Sequence, residues 1–169
     1  MPKIIENIRE QLMNEAKLQI AERGYKNTTI RSVAGGCGVA VGTVYNYYKS
    51  KDMLIASLVL QDWIECVEAI AAQPKDSRRE YLEFIHNSLE DFAEKHISLF
   101  ADREAKAVFN AAFSQRHKQL RAQLADLILP ICTGEDKFLA EYVAESLLTW
   151  TMAGKSFEDI YDLLPTQIK

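Results

Sequence analysis

Between Gly24 and Lys51 the chain is punctuated so densely that it can hold only short helices joined by tight turns. Upstream, Ile5, Ile8, Leu12, Ala16 and Ile20 recur with a period of about 3.6 residues and predict an amphipathic helix from near Ile4 to Arg23. Gly24 closes it, since a glycine takes a positive φ at little cost, and Tyr25 is placed to fold back onto the helix. Thr28 and Thr29 offer hydroxyls that cap the N–H groups of a second helix carrying Ile30, Val33 and Ala34. That helix must be brief. Gly35, Gly36 and Gly38 crowd its end, and Gly35 and Gly36 each cost about 0.5 to 1 kcal/mol relative to alanine, which predicts a soft helix. Val39 anchors the turn, and a third helix begins near Ala40 or Val41. It sets Val44, Tyr45 and Tyr48 to one side and Val41, Thr43 and Tyr47 toward the other.

The rest of the chain also reads as helix. Ser50 caps a run through Leu54, Leu58, Trp63 or Ile64, Val67 and Ile70 that ends at Pro74. Ser77 and Glu80 have capping-box spacing ahead of Tyr81, Leu82, Ile85, Leu89 and Phe92. Further amphipathic runs cover residues 97–113, 116–129, 136–153 and 157–164, with breaks at Ser114, Pro130 to Gly134 and Gly154 to Ser156. Strand-length alternating segments between turn signals do not occur, so the expected fold class is all-α, with about nine helices.

Composition narrows the function. At 169 residues, 48% hydrophobic and 26% charged, the chain is ordinary for a globular protein of at most two domains. It has no apolar run of the roughly 18 residues a membrane span needs and no signal-peptide layout at Met1 to Arg9, so a soluble, cytoplasmic protein without membrane partners is expected. Cys37, Cys66 and Cys132 are odd in number and scattered, and His86, His96 and His117 lack metal-site spacing. No metal and no cofactor are expected. Gly36-Cys37-Gly38 would need a third glycine where Val41 stands to resemble a dinucleotide loop. The adjacent carboxylates Glu90-Asp91 and Glu135-Asp136 diverge by about 100° on a helix, and no hydrolase, zinc-protease or P-loop motif is present, so catalysis is not expected.

The net charge of −4 is unevenly distributed. Residues 1–52 hold eight Lys or Arg against five Asp or Glu, whereas residues 53–169 hold twelve against nineteen. From Arg23 to Lys51 there are five basic residues and no acidic one. A polyanion responds to charge within a Debye length of about 8 Å, so the acidic remainder does not bar nucleic acid from this segment.

A supporting helix, a tight turn and a short helix with an exposed N-terminal half form a helix-turn-helix, and residues 29–48 fit that plan. Gly24-Tyr25, Thr28-Thr29-Ile30, Val33-Ala34, Gly38-Val39 and the run from Gly42 through Lys51 match in order and spacing the TetR family of bacterial regulators, which the chain resembles from residue 5 to about 60.

The resemblance implies a DNA-binding domain at 1–52, and a helical regulatory domain at 53–169 that binds an inducer and forms a homodimer mainly through 136–164. Position by position it assigns Thr29 and Arg31 to supporting-helix contacts, with Arg31 within reach of a phosphate or a guanine edge, Ala40, Val41, Gly42 and Thr43 to the groove entry, and Thr43, Tyr45, Tyr47 and Lys51 to phosphates. Asn46 is placed to read a base edge and Val41 a thymine methyl. Ala40 and Val41 depart from the polar or basic residues many relatives carry there, which thins hydrogen-bonded readout. Trp63, Phe84, Phe109, Phe113 and Trp150, with His117 as a polar group, are candidates for an inducer pocket. The implied function is a repressor released from a palindromic operator in double-stranded DNA by a small apolar or amphipathic inducer. The alternative is a helix-turn-helix interaction protein whose C-terminal domain binds a protein partner.

Overall fold

The apolar stripe of the first helix, α1 (Ile8–Asn27), organises the N-terminal core. Ile8, Leu12 and Ala16 pack with Ile30, Val33 and Ala34 of α2 (Ile30–Gly36), Val44 of α3 (Val41–Tyr47), Tyr48, and Leu54 of α4 (Lys51–Ala71). The computed structural model describes residues 7–97, 99 and 103–168, without the side chains of 103–115. The expected start at Ile4 and the core position Ile5 lie outside the described residues. Beyond α4 follow α5 (Arg78–Lys95), α6 (Arg103–Ile128), two short 3₁₀ turns at Leu129–Ile131 and Thr133–Glu135, α7 (Lys137–Met152) and α8 (Phe157–Tyr161). Among the described residues every regular element is helical, as expected.

The chain forms two compact units, one of residues 1–61 with 96–112, the other of 62–95 with 113–169. In the second, Tyr81, Leu82, Ile85, Leu89 and Phe92 of α5 are buried, as are Leu139, Val143, Ala144 and Leu147 of α7 and Phe157 and Ile160 of α8. Asp136 caps α7 by accepting from the N–H groups of Phe138 and Leu139 at 2.9 and 3.1 Å, and Ser156 caps α8 by accepting from Asp159 N–H at 3.2 Å. The turn between those helices is fastened to α5 by buried His86, whose Nε2 donates to the Lys155 carbonyl at 2.9 Å.

One boundary differs from the sequence reading. No break occurs at Ser114: α6 continues through it, so the separately expected helices ending at 113 and beginning at 116 are one. Serine costs only about half a kcal/mol in a helix interior, and residues 103–128 contain neither glycine nor proline. No described helix is long and apolar enough to cross a membrane.

Candidate nucleic-acid interface

The site begins with how α1 ends. Gly24 adopts φ 79° and ψ 169°, a conformation open essentially to glycine alone, and it interrupts α1 so that Tyr25 turns inward and is buried. Thr28 donates its hydroxyl to the Gly24 carbonyl at 2.9 Å, closing the turn. Thr29 then begins α2 with a reciprocal capping box: its Oγ1 accepts from Ser32 N–H at 3.0 Å, and its own N–H donates to Ser32 Oγ at 2.9 Å.

Gln19 locks this cap to α1. Its side chain is buried at the spacing of the apolar stripe, donating to the Ser32 carbonyl at 3.0 Å and accepting from Ser32 Oγ at 2.5 Å. The sequence reading passed over Gln19. Its signal was a polar residue between Ala16 and Ile20 on a face that is otherwise apolar. A Cβ at Gly36 would fall on the Glu15 side chain, which itself accepts from Gln19 at 2.6 Å, so the glycine that softens α2 also lets α1 approach.

The α2–α3 turn is held by Val39 N–H donating to the Ala34 carbonyl at 2.9 Å, with Gly38 at φ 65°. Helix α3 emerges with Val44 fully buried and Tyr48 nearly so, while Tyr45 and Tyr47 are 46% and 42% exposed. Tyr45 therefore does not share one side with Val44 and Tyr48, as its expected grouping with them had it. Residue 45 lies one position past Val44, about 100° around the helix, and it faces solvent beside Asn46 and Tyr47. Arg31, Thr29, Ala40, Gly42 and Asn46 are exposed, whereas Val41 and Thr43 are half-buried, Val41 against the core cluster. Lys51 is half-buried: its Nζ donates to the Tyr25 carbonyl at 3.1 Å and lies 3.8 Å from the centre of the Tyr25 ring. The Tyr25 hydroxyl in turn donates to the Asp52 carboxylate. Burial raises the Tyr48 phenol above its ordinary range, against the opposing charge of Arg9 near its ring, so it stays neutral.

Of the residues expected to line an inducer pocket, the side chains of Trp63, Phe84, His117 and Trp150 are among those described. Trp63 is a core side chain whose indole N–H donates to Gln123 at 2.8 Å and whose ring meets Phe92 edge-on. Phe84 lines a cleft of about 560 Å³ between α4 and α5, and Trp150 lines a separate groove of about 350 Å³ on α7 and α8. His117 faces Glu145 at 3.0 Å. The side chains of Phe109 and Phe113 lie outside the described residues.

An exposed polar and aromatic α3 face, backed by a packed core and preceded by a capped α2 and a tight turn, defines a helix-turn-helix domain. Residues 12–58 match the model of the bacterial regulatory proteins, tetR family. The HTH-type transcriptional repressor KstR2 of Mycolicibacterium smegmatis is 35% identical over 57 residues, 34% of this chain and 27% of that protein. The fatty acid metabolism regulator protein of Bacillus subtilis is 27% identical over 121 residues, 70% of this chain and 59% of that one. The chain thus spans less than two thirds of the length of either relative. A solved structure of the regulator FadR from Bacillus subtilis, in complex with stearoyl-CoA, shares the fold with a TM-score of 0.57 at 21% identity, covering 95% of this chain and 99% of that one.

Proposed function

We propose that the chain is a sequence-specific DNA-binding transcriptional regulator, a repressor that grips a palindromic operator as a homodimer and is released by a small-molecule inducer. The observation that carries this reading is the exposed Tyr45-Asn46-Tyr47 face of α3, set on a rigid base by buried Val44 and Tyr48. In this reading residues 1–52 contact DNA and residues 53–169 regulate. Arg31, Thr43, Tyr45 and Tyr47 supply phosphate contacts, which fix register, and Asn46 reads a base edge. Thr29 and Lys51 serve a double purpose, holding the domain while lying beside the duplex. The chain acts by binding, in the cytoplasm, and not by catalysis.

Dimerisation is supported by the apolar residues of α7 and the C-terminal segment that the chain itself leaves uncovered. Leu139, Val143, Leu147, Phe157, Ile160 and Leu164 are buried within the chain, whereas Phe138, Tyr142, Trp150 and Leu163 are 78%, 45%, 50% and 82% exposed. A second copy covers them in this reading, and it brings two α3 helices to half-sites about one turn of DNA apart. An inducer that prefers the dimer with its two α3 helices wrongly spaced lowers operator affinity by its differential binding energy.

Binding to a labelled duplex across a salt series tests the DNA reading. With about three or four phosphates neutralised per subunit, log K falls against log salt with a slope of roughly −5 to −7 for the dimer. A slope near zero contradicts it.

A further inference from the structure

The N-terminal end of α2 is tied to α1 by a polar side chain set into an apolar stripe. Gln19 is 2% exposed and stands between Ala16 and Ile20, both buried. Its amide makes three hydrogen bonds: Nε2 donates to the Ser32 carbonyl at 3.0 Å and to the Glu15 carboxylate at 2.6 Å, and Oε1 accepts from the Ser32 hydroxyl at 2.5 Å. Glu15 sets which way round the amide lies, since a carboxylate only accepts. A buried, hydrogen-bonded amide adds little net stability over an apolar residue of similar size, because folding exchanges its bonds to water for equivalent ones. What a fully satisfied set of directional bonds supplies is a fixed geometry.

Helix α2 needs such a reference. It is seven residues long, ends in Gly35-Gly36, and packs through Ile30, Val33 and Ala34, whose apolar contacts are non-directional. Its far end is held by Val39 N–H donating to the Ala34 carbonyl and by the Cys37 thiol, 3.5 Å from the Gln11 carbonyl. At the near end Gln19 grips both the carbonyl and the hydroxyl of Ser32, two points on one residue, and so sets the rotation of α2 about its own axis. Ser32 is half-buried, and Arg31, one residue earlier and about 100° around the helix, is exposed. We propose that Gln19 is a positioning residue for DNA binding: by fixing that rotation it aims the Arg31 side chain at a backbone phosphate. This rests on the DNA-binding reading above and on its assignment of Arg31 to phosphate.

A salt series on a labelled duplex, selected from random sequence by the original chain, tests the proposal with Gln19→Leu, Arg31→Ala and the double variant. Gln19→Leu matches the apolar stripe and leaves the Ser32 hydroxyl its 2.9 Å bond to the Thr29 carbonyl. Circular dichroism checks that it folds, and Gln19→Met, close to glutamine in length, replaces it if it does not. Folded Gln19→Leu is expected to bind at least about tenfold more weakly, with a slope of log K against log salt shallower by about two, for one phosphate lost per subunit of the dimer. A residue that served stability alone would leave the slope of the folded protein unchanged. Arg31→Ala should lose as much, and the double variant no more than Arg31→Ala, because both substitutions remove one contact. An unchanged slope in folded Gln19→Leu, or losses that add in full in the double variant, overturns the proposal while DNA binding by the original chain stands. Failure of the original chain to select or bind any duplex overturns the DNA reading and the proposal with it.

Discussion

Lys51 is bound to Tyr25 twice over, through a hydrogen bond to its carbonyl at 3.1 Å and through its ammonium 3.8 Å above the ring centre. The residue that begins α4 therefore grips the turn that ends α1, and Asp52 beside it takes the Tyr25 hydroxyl. Family resemblance assigns this lysine to phosphate, yet its first duty in the folded chain is to the domain itself. Lys51→Ala is expected to lower unfolding stability without DNA by about 1 to 2 kcal/mol, the combined scale of one hydrogen bond and one cation–π contact. Urea unfolding checks this, and an unchanged midpoint would leave Lys51 as a phosphate contact only.

Thr29→Ala removes one half of a capping box, and Ser32→Ala removes the other together with the Gln19 contact. Thr29→Ala should cost about 1 kcal/mol and Ser32→Ala more, with Thr29→Ser close to the original chain. Thermal unfolding of the three variants orders them.

The α3 face should divide by role. Asn46→Ala is expected to lose about 1 to 3 kcal/mol on the preferred operator and to relax preference at one base position. Tyr47→Phe should weaken all duplexes alike. Competition binding against single-base operator variants distinguishes the two patterns.

Glu145 carries a pH signature. Burial would raise its carboxyl, but His117, Thr149 and Arg121 outweigh that and hold it below its ordinary 4.5. A depressed carboxylate contributes stability above its unfolded pKa and loses it as pH falls through the folded value. Stability should therefore decline on the acid side of pH 4.5, and His117→Ala should make that decline shallower. Unfolding midpoints measured between about pH 3 and 6 test the sign.

Cys66 lies against the cleft, and burial pushes its thiol up to about 11. About a hundredfold less thiolate than at the ordinary value of 9.0 should make it slow to alkylate at pH 8. Peptide mapping after timed iodoacetamide treatment reads this directly, and rapid labelling of folded protein would contradict it.

The sequence made the N-terminal geometry legible because glycine and threonine act locally. Gly24 and Gly38 need the positive φ values they show, and Thr29 caps the helix that follows. Helical spacing likewise put Val44 and Tyr48 on one side of α3, and that side packs into the core. What spacing cannot express is which neighbour a face meets. Tyr45 and Trp150 face solvent and Trp63 is interior. The continuity of α6 through Ser114 was hidden because a serine is a weak signal that neighbouring helix formers override.

Enrichment of bound sequences from random duplexes tests the central claim most directly, because DNA binding, twofold symmetry and half-site spacing are read together. The account predicts a palindrome with half-site centres about one helical turn apart, and an altered base preference in the half-site for Asn46→Ala. A bound pool no different in sequence from the starting library, for protein shown to be folded, would contradict it.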